Sequence, residues 1–191
     1  IYDYFPWEDR RDPSAAPLLL SIAERLKHWA QGNPQRWQRC TTVFGLDGQI
    51  WNDELSLQRY ELLWEAGLLP ESTRQNIPLI PGLSMHRDYR RILATALSRM
   101  RAKIRYTPAV FDLLPAQFTL LQLQQAMEAL AGCFMHKQNF RRLVQQQKLV
   151  SRTAEFDSPA QGRPAQLYQF APQTAEHCYL AGAKLPLPAI S

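Results

Sequence analysis

Residues 133–150, CFMHKQNFRRLVQQQKLV, place Phe140, Leu143, Val144 and Leu149 at roughly helical spacing and gather Lys137, Gln138, Arg141, Arg142, Gln145 and Lys148 on the other side. A solvated helix face usually mixes charges of both signs and gains from acid–base pairs four residues apart. This face carries no acid. It offers cations and amides, the donors that reach phosphates and base edges.

The flanking sequence says what kind of helix this is. Upstream, FTLLQLQQAMEALAG (118–132) opens with Thr119 as N-cap and Gln122 three residues on, a capping-box pattern, and Phe118 with Leu123 fit a hydrophobic staple around it. The apolar series Leu120, Leu123, Met127, Leu130 runs to Gly132, a helix stop in the left-handed conformation. A turn of about four residues then leads into the first helix quoted. Before both, RDYRRILATALSRMRAKIRY (87–106) carries Tyr89, Leu93, Ala96, Met100 and Ile104 as one apolar stripe, with its basic residues elsewhere and Pro108 ending it. Downstream, LVSRTA, the polar loop EFDSPAQGR and PAQLYQF read as two short strands of a hairpin with a long tip. Helix, helix, tight turn, helix and hairpin is the order of a winged helix-turn-helix. There the second helix of the turn enters the major groove of double-stranded DNA, and the wing touches flanking backbone or minor groove.

Within that frame Arg141 and Arg142 are read as DNA contacts rather than as an ordinary solvated pair, because acids are absent, a capped helix precedes and a hairpin follows. Lys137 and Gln145 complete the face. Gln138 and Asn139 either read an adenine edge or cap the helix. Arg163 lies between Gly162 and Pro164, a rigid presentation that suits a phosphate or minor-groove contact; the plainer reading is an exposed arginine at a hairpin bend.

The rest of the chain reads as a mainly α (α+β) protein. Residues 14–31 carry Leu18, Leu19, Ile22, Leu26 and Trp29 at helical spacing, and Gly32 with Pro34 stops them. CTTVFGLDGQIW (40–51) looks like a small strand pair around Asp47 and Gly48, and a second helix is expected over about 53–69. IPLIPG (77–82) is a Pro-rich break. The expected organisation is a helical segment over 1–85, a winged helix over 86–170 and a Pro-rich tail over 171–191. The cluster Tyr2, Tyr4, Phe5 and Trp7 reads as core or interface, and a start at Ile1 rather than Met suggests a fragment.

Bulk composition agrees. Across 191 residues, 46% hydrophobic and 20% charged content is ordinary for a globular chain. The net charge of +5 hides an asymmetry: residues 1–85 hold 8 basic and 11 acidic residues, whereas residues 86–170 hold 13 and 5. A basic module beside a mildly acidic one fits nucleic-acid binding. No stretch approaches the roughly 18 apolar residues of a membrane span, and the N-terminus lacks signal-peptide character, so a cytoplasmic protein is expected. Cys40, Cys133 and Cys178 are odd in number and widely separated, which indicates neither a disulfide framework nor zinc. No cofactor or metal is expected.

Catalytic signatures are weak. ELLWEAGLLPE (61–71) approaches the Nudix helix, whose carboxylates hold the divalent metals that activate water on a diphosphate. Aligned on Glu65-Ala66-Gly67-Leu68, however, Tyr60 stands where an arginine is needed and Trp64 where a metal-binding glutamate is needed. No nucleophile elbow, phosphate-cradling glycine loop or H-E-x-x-H helix occurs.

ILATALSRMRAKIRYTP, LLPAQFTLLQLQQAMEALAG, HKQNFRRLV and GRPAQLYQF together resemble, in order and spacing, the linker helix and winged helix of the Nudix-related transcriptional regulators of NAD metabolism, of the NrtR and NadQ kind. YFPWEDRR and WNDELSLQRYELLWEAGL look more like the NadQ branch. The resemblance implies a homodimeric repressor that binds a palindromic operator near NAD-synthesis genes. It also implies a nucleotide effector (ADP-ribose, NAD or ATP) acting through a Nudix-like domain expected upstream of Ile1. The alternative is a Nudix-derived nucleotide-binding protein or hydrolase.

Overall fold

Six α-helices and a small antiparallel sheet make up the computed structural model, which describes residues 1–73, 79–157 and 164–171. The helices are α1 (Ala15–Trp29), α2 (Pro34–Phe44), α3 (Ser56–Glu65), α4 (Tyr89–Tyr106), α5 (Leu120–Ala131) and α6 (Lys137–Gln146). The strands are β1 (Phe118–Thr119), β2 (Val150–Asp157) and β3 (Ala165–Phe170). The described residues form two compact units, Ile1–Arg99 and those from Met100 to Ala171, so the division falls within α4. The sequence boundary at 85/86 differs from this division because Arg90 and Ala94, on the first turns of α4, are buried with the N-terminal residues.

In the first unit, α1 buries Ile22 and Leu26 against Phe5, Trp7, Phe44, Leu62 and Leu63. The N-terminal aromatic cluster is therefore core: Phe5 and Trp7 are buried and meet edge to face. The strand pair expected over 40–51 does not form. Residues 40–44 are the last turns of α2, which starts at Asn33, whose side chain accepts from the Arg36 N–H at 3.1 Å, with Pro34 in the first turn. Gly45, at φ 60°, closes it. A Cβ at Gly45 would lie 2.8 Å from the Trp51 nitrogen, so only glycine lets the chain fold back there. The helix expected over about 53–69 is a 3-10 turn, Asp53–Leu55, running into α3.

An ion pair organises this core. Arg59 on α3 donates Nε to Glu8 Oε1 at 2.5 Å and Nη2 to Glu8 Oε2 at 3.0 Å. Its Nη1 donates to the carbonyls of Val43 and Asn52, and the guanidinium lies over the Trp51 ring at 3.9 Å. Both charged side chains are fully buried, and such a pair persists only when its remaining donors are also met.

Of the expected α4 stripe, Ile104 is buried and Leu93 and Met100 pack against the cores, and arginine accounts for the rest. Arg90, Ala94, Leu97, Arg101 and Ile104 are the buried residues, whereas Tyr89 and Ala96 are exposed. Arg90 donates to the Tyr4 carbonyl and to Glu71, at 3.1 and 3.2 Å to the two carboxylate oxygens.

The second unit packs Leu123, Met127, Phe140, Val144, Leu149 and Phe118 into its own core. β3 lies between β1 and β2. Phe118 pairs with Tyr168 and Thr119 with Leu167, while β2 pairs with β3 from Val150–Phe170 to Asp157–Ala165, with a register shift between Arg152 and Phe156. This is the winged helix expected from the sequence, with β1 as the strand that periodicity did not reveal.

Candidate nucleic-acid interface

Backbone capping sets the geometry of the α5–α6 pair. Thr119 Oγ1 accepts the Gln122 N–H at 3.2 Å, and Gln122 Oε1 accepts the Thr119 N–H at 2.7 Å, the reciprocal box read from the sequence. Gly132, at φ 69°, donates its N–H to the Glu128 carbonyl at 2.9 Å and turns the chain out of α5.

A buried polar clamp then holds the turn. Glu128 Oε1 accepts the Met135 N–H at 2.9 Å and the Gln124 side-chain amide at 2.8 Å, and that amide also donates to the Met135 carbonyl at 3.1 Å. Glu128, Gln124 and Met135 are all buried. The arrangement has an electrostatic consequence: the last acid in the chain before Glu155 faces inward, so the turn and α6 themselves present no carboxylate to solvent. Arg101 braces the same region from α4, donating Nε to the Leu130 carbonyl at 2.8 Å.

On α6 the two faces separate cleanly. Phe140 and Val144 are buried, while Lys137, Gln138, Asn139, Arg141, Arg142 and Gln145 are all exposed. These six predicted residues therefore share one helix and its outward surface. The N-cap is His136, which makes no side-chain cap bond, so Gln138 and Asn139 stand inside the first turn and not at the cap. Lys148 lies past the helix end at φ 52°, and Arg152 is exposed on β2. Neither was among the predicted site residues; the signal that could have found Arg152 was its place in the first wing strand. Arg163 lies outside the described residues.

The Nudix-like stretch belongs to the first unit and is differently engaged. Glu61 accepts from Arg91 at 2.6 Å and Glu65 from Arg39 at 2.5 Å. Tyr60 is buried and donates to Glu71 at 3.2 Å; burial, reinforced by that carboxylate, pushes its phenol well above the usual range. A cavity of about 540 Å³ is lined by Arg39, Tyr60, Glu61, Trp64, Glu65, Asp88 and Arg91. Among the described residues no group of three or more histidine, cysteine or acidic side chains could hold a metal ion. No described helix is long and apolar enough to cross a membrane.

Comparison with known proteins places this geometry. Residues 110–170 match the family model of the NrtR DNA-binding winged helix domain, in agreement with the winged-helix fold of that segment. Over 86 residues, or 45% of the chain, it is 38% identical to the ADPR responsive transcriptional repressor NtrR of Acinetobacter baylyi, of which the match covers 34%. The chain thus spans about a third of that relative's length. It is also similar to NrtR of Shewanella oneidensis, crystallised with a 27mer DNA, at 32% identity over 52% of this chain and 42% of that one, with a TM-score of 0.41.

Proposed function

We propose that this chain is the DNA-binding part of a transcriptional repressor and that α6 reads the major groove. The observation that carries the reading is the acid-free exposed face of α6, set behind a capped helix and a clamped turn. Arg141 and Arg142 have the donor geometry for a guanine edge or for phosphates, Gln138 and Asn139 that for an adenine edge, and Lys137 and Gln145 flank them. Arg163, in the sequence between β2 and β3, would supply a phosphate or minor-groove contact. A winged helix reading a palindrome needs two copies about a two-fold axis, so the functional unit is a homodimer. The similarity to an ADPR-responsive repressor supports a nucleotide effector such as ADP-ribose, and the family resemblance of the sequence supports NAD-synthesis genes as the targets.

Fluorescence anisotropy tests this directly, with a duplex enriched from a random pool by the chain itself. Arg141→Ala or Arg142→Ala weakens binding by about 1–3 kcal/mol if a base edge is read. Unchanged affinity in both variants, with the fold intact by circular dichroism, would sink the assignment. Light scattering checks the dimer, and a monomer that stays monomeric on DNA counts against it.

One observation favours a second reading, a nucleotide-binding protein of Nudix descent: the cavity walled by Tyr60 and Trp64. It does not favour a hydrolase, since Glu61 and Glu65 are each engaged by an arginine.

A further inference from the structure

In the turn between α5 and α6, Phe134 is 70% exposed. An aromatic side chain left in water forgoes the stabilisation of burial, and one held rigidly can regain it on a partner at little ordering cost. The display is rigid here. Gly132 fixes the chain on one side, and on the other Met135 is held through both its N–H and its carbonyl by Glu128 and Gln124.

The surroundings say what the partner is. The residues that follow, His136, Lys137, Gln138 and Asn139, are exposed and include no acid, and Glu128 faces inward. Phe156 makes the contrast: it is 57% exposed on β2 but lies between the exposed carboxylates of Glu155 and Asp157, which would repel phosphates. Among the described residues, only Phe134 combines an exposed ring with the leading edge of the cationic face. In the major groove the residues at the start of the recognition helix lie closest to base edges, and the one apolar group there is the 5-methyl of thymine.

We propose that Phe134 is a specificity-determining residue that packs its ring on the 5-methyl group of a thymine in the major groove. This inference rests on the DNA-binding reading above. It adds a residue and a base to that reading, and it makes the α5–α6 turn part of the recognition surface.

The test uses the full chain and a duplex enriched from a random pool by that chain, with each thymidine replaced in turn by deoxyuridine, which removes only the methyl group. One replacement should weaken wild-type binding about fourfold, the worth of one buried methyl-sized group. Phe134→Ala should bind the parent duplex more weakly and no longer distinguish the two bases at that position, while Phe134→Leu should retain part of the discrimination. With its ring so exposed, Phe134→Ala should melt as the wild type does. The proposal is overturned if no replacement affects the wild type, or if Phe134→Ala keeps the full ratio. It is equally overturned if Phe134→Ala changes self-association by light scattering without changing base preference, which would make the ring a protein contact. If the wild-type chain enriches no duplex at all, the DNA-binding reading falls, and this inference with it.

Discussion

Glu128 offers a perturbation in which charge and geometry predict opposite signs. Its carboxylate accepts the Met135 N–H at 2.9 Å and the Gln124 amide at 2.8 Å in a buried turn. Glu128→Ala leaves both donors without that acceptor. At about 1–3 kcal/mol for each of these two buried unmet groups, the second unit should lose about 2–6 kcal/mol of stability. Glu128→Gln keeps an oxygen in place and should cost within about 1–2 kcal/mol, the difference between charged and neutral hydrogen bonds. Both variants remove one negative charge near α6, so an account based on charge alone predicts tighter DNA binding for both. The clamp predicts otherwise. Glu128→Gln should bind as tightly as the wild type or more so, and Glu128→Ala more weakly, because its turn no longer holds α6. Anisotropy titrations at a temperature where urea melts show all three proteins folded measure this. Glu128→Ala binding as tightly as Glu128→Gln would refute the clamp.

Other consequences are independent of DNA. Glu8→Ala should destabilise the first unit by about 3–5 kcal/mol, since it strands the buried Arg59 guanidinium; an unchanged thermal midpoint would contradict the pair's role. Burial pushes the Cys40 thiol from its ordinary 9.0 up to about 11, with Arg39 pulling weakly back. A thiol raised by folding contributes stability that is whole below pH 9 and is lost as the pH climbs towards 11, so urea midpoints should fall more steeply over that window in the wild type than in Cys40→Ser. The chain should not hydrolyse ADP-ribose, NADH or diadenosine compounds in Mg²⁺ or Mn²⁺, because Tyr60 and Trp64 stand where an arginine and a carboxylate are needed. Turnover that survives repurification and disappears in Glu61→Gln or Glu65→Gln would raise the enzyme reading above the repressor.

What could be read in advance was what depends on near neighbours in the chain. The capping box at Thr119, the stop at Gly132 and the two faces of α6 are each decided within a few residues, and each stands in the structure. Elements that depend on distant partners were harder. β1 is only two residues long and exists because Phe118 and Thr119 meet Tyr168 and Leu167, some fifty positions away. α2 was hidden because Thr41, Thr42 and Val43 favour strands, although Asn33, Pro34 and Gly45 mark both its ends; Pro34 was read as a stop when it is a start. On α4, Arg90 and Arg101 fall outside the apolar stripe expected from the sequence, yet each is buried against carbonyl oxygens. The clamp was equally invisible. A glutamate late in a helix gives no sign that its carboxylate turns inward to hold the next turn.

The central claim, that the face of α6 meets DNA phosphates and base edges, is most directly tested by the salt dependence of binding. Each phosphate neutralised releases counterions, giving a slope of about −0.9 in log K against log salt per contact. The account predicts a steep slope for the wild-type chain with the enriched duplex, made shallower by about 0.9 for each of Arg141→Ala and Arg142→Ala that removes a phosphate contact. A shallow wild-type slope, or a steep one that neither substitution changes in slope or affinity, would place the DNA contact elsewhere and contradict it.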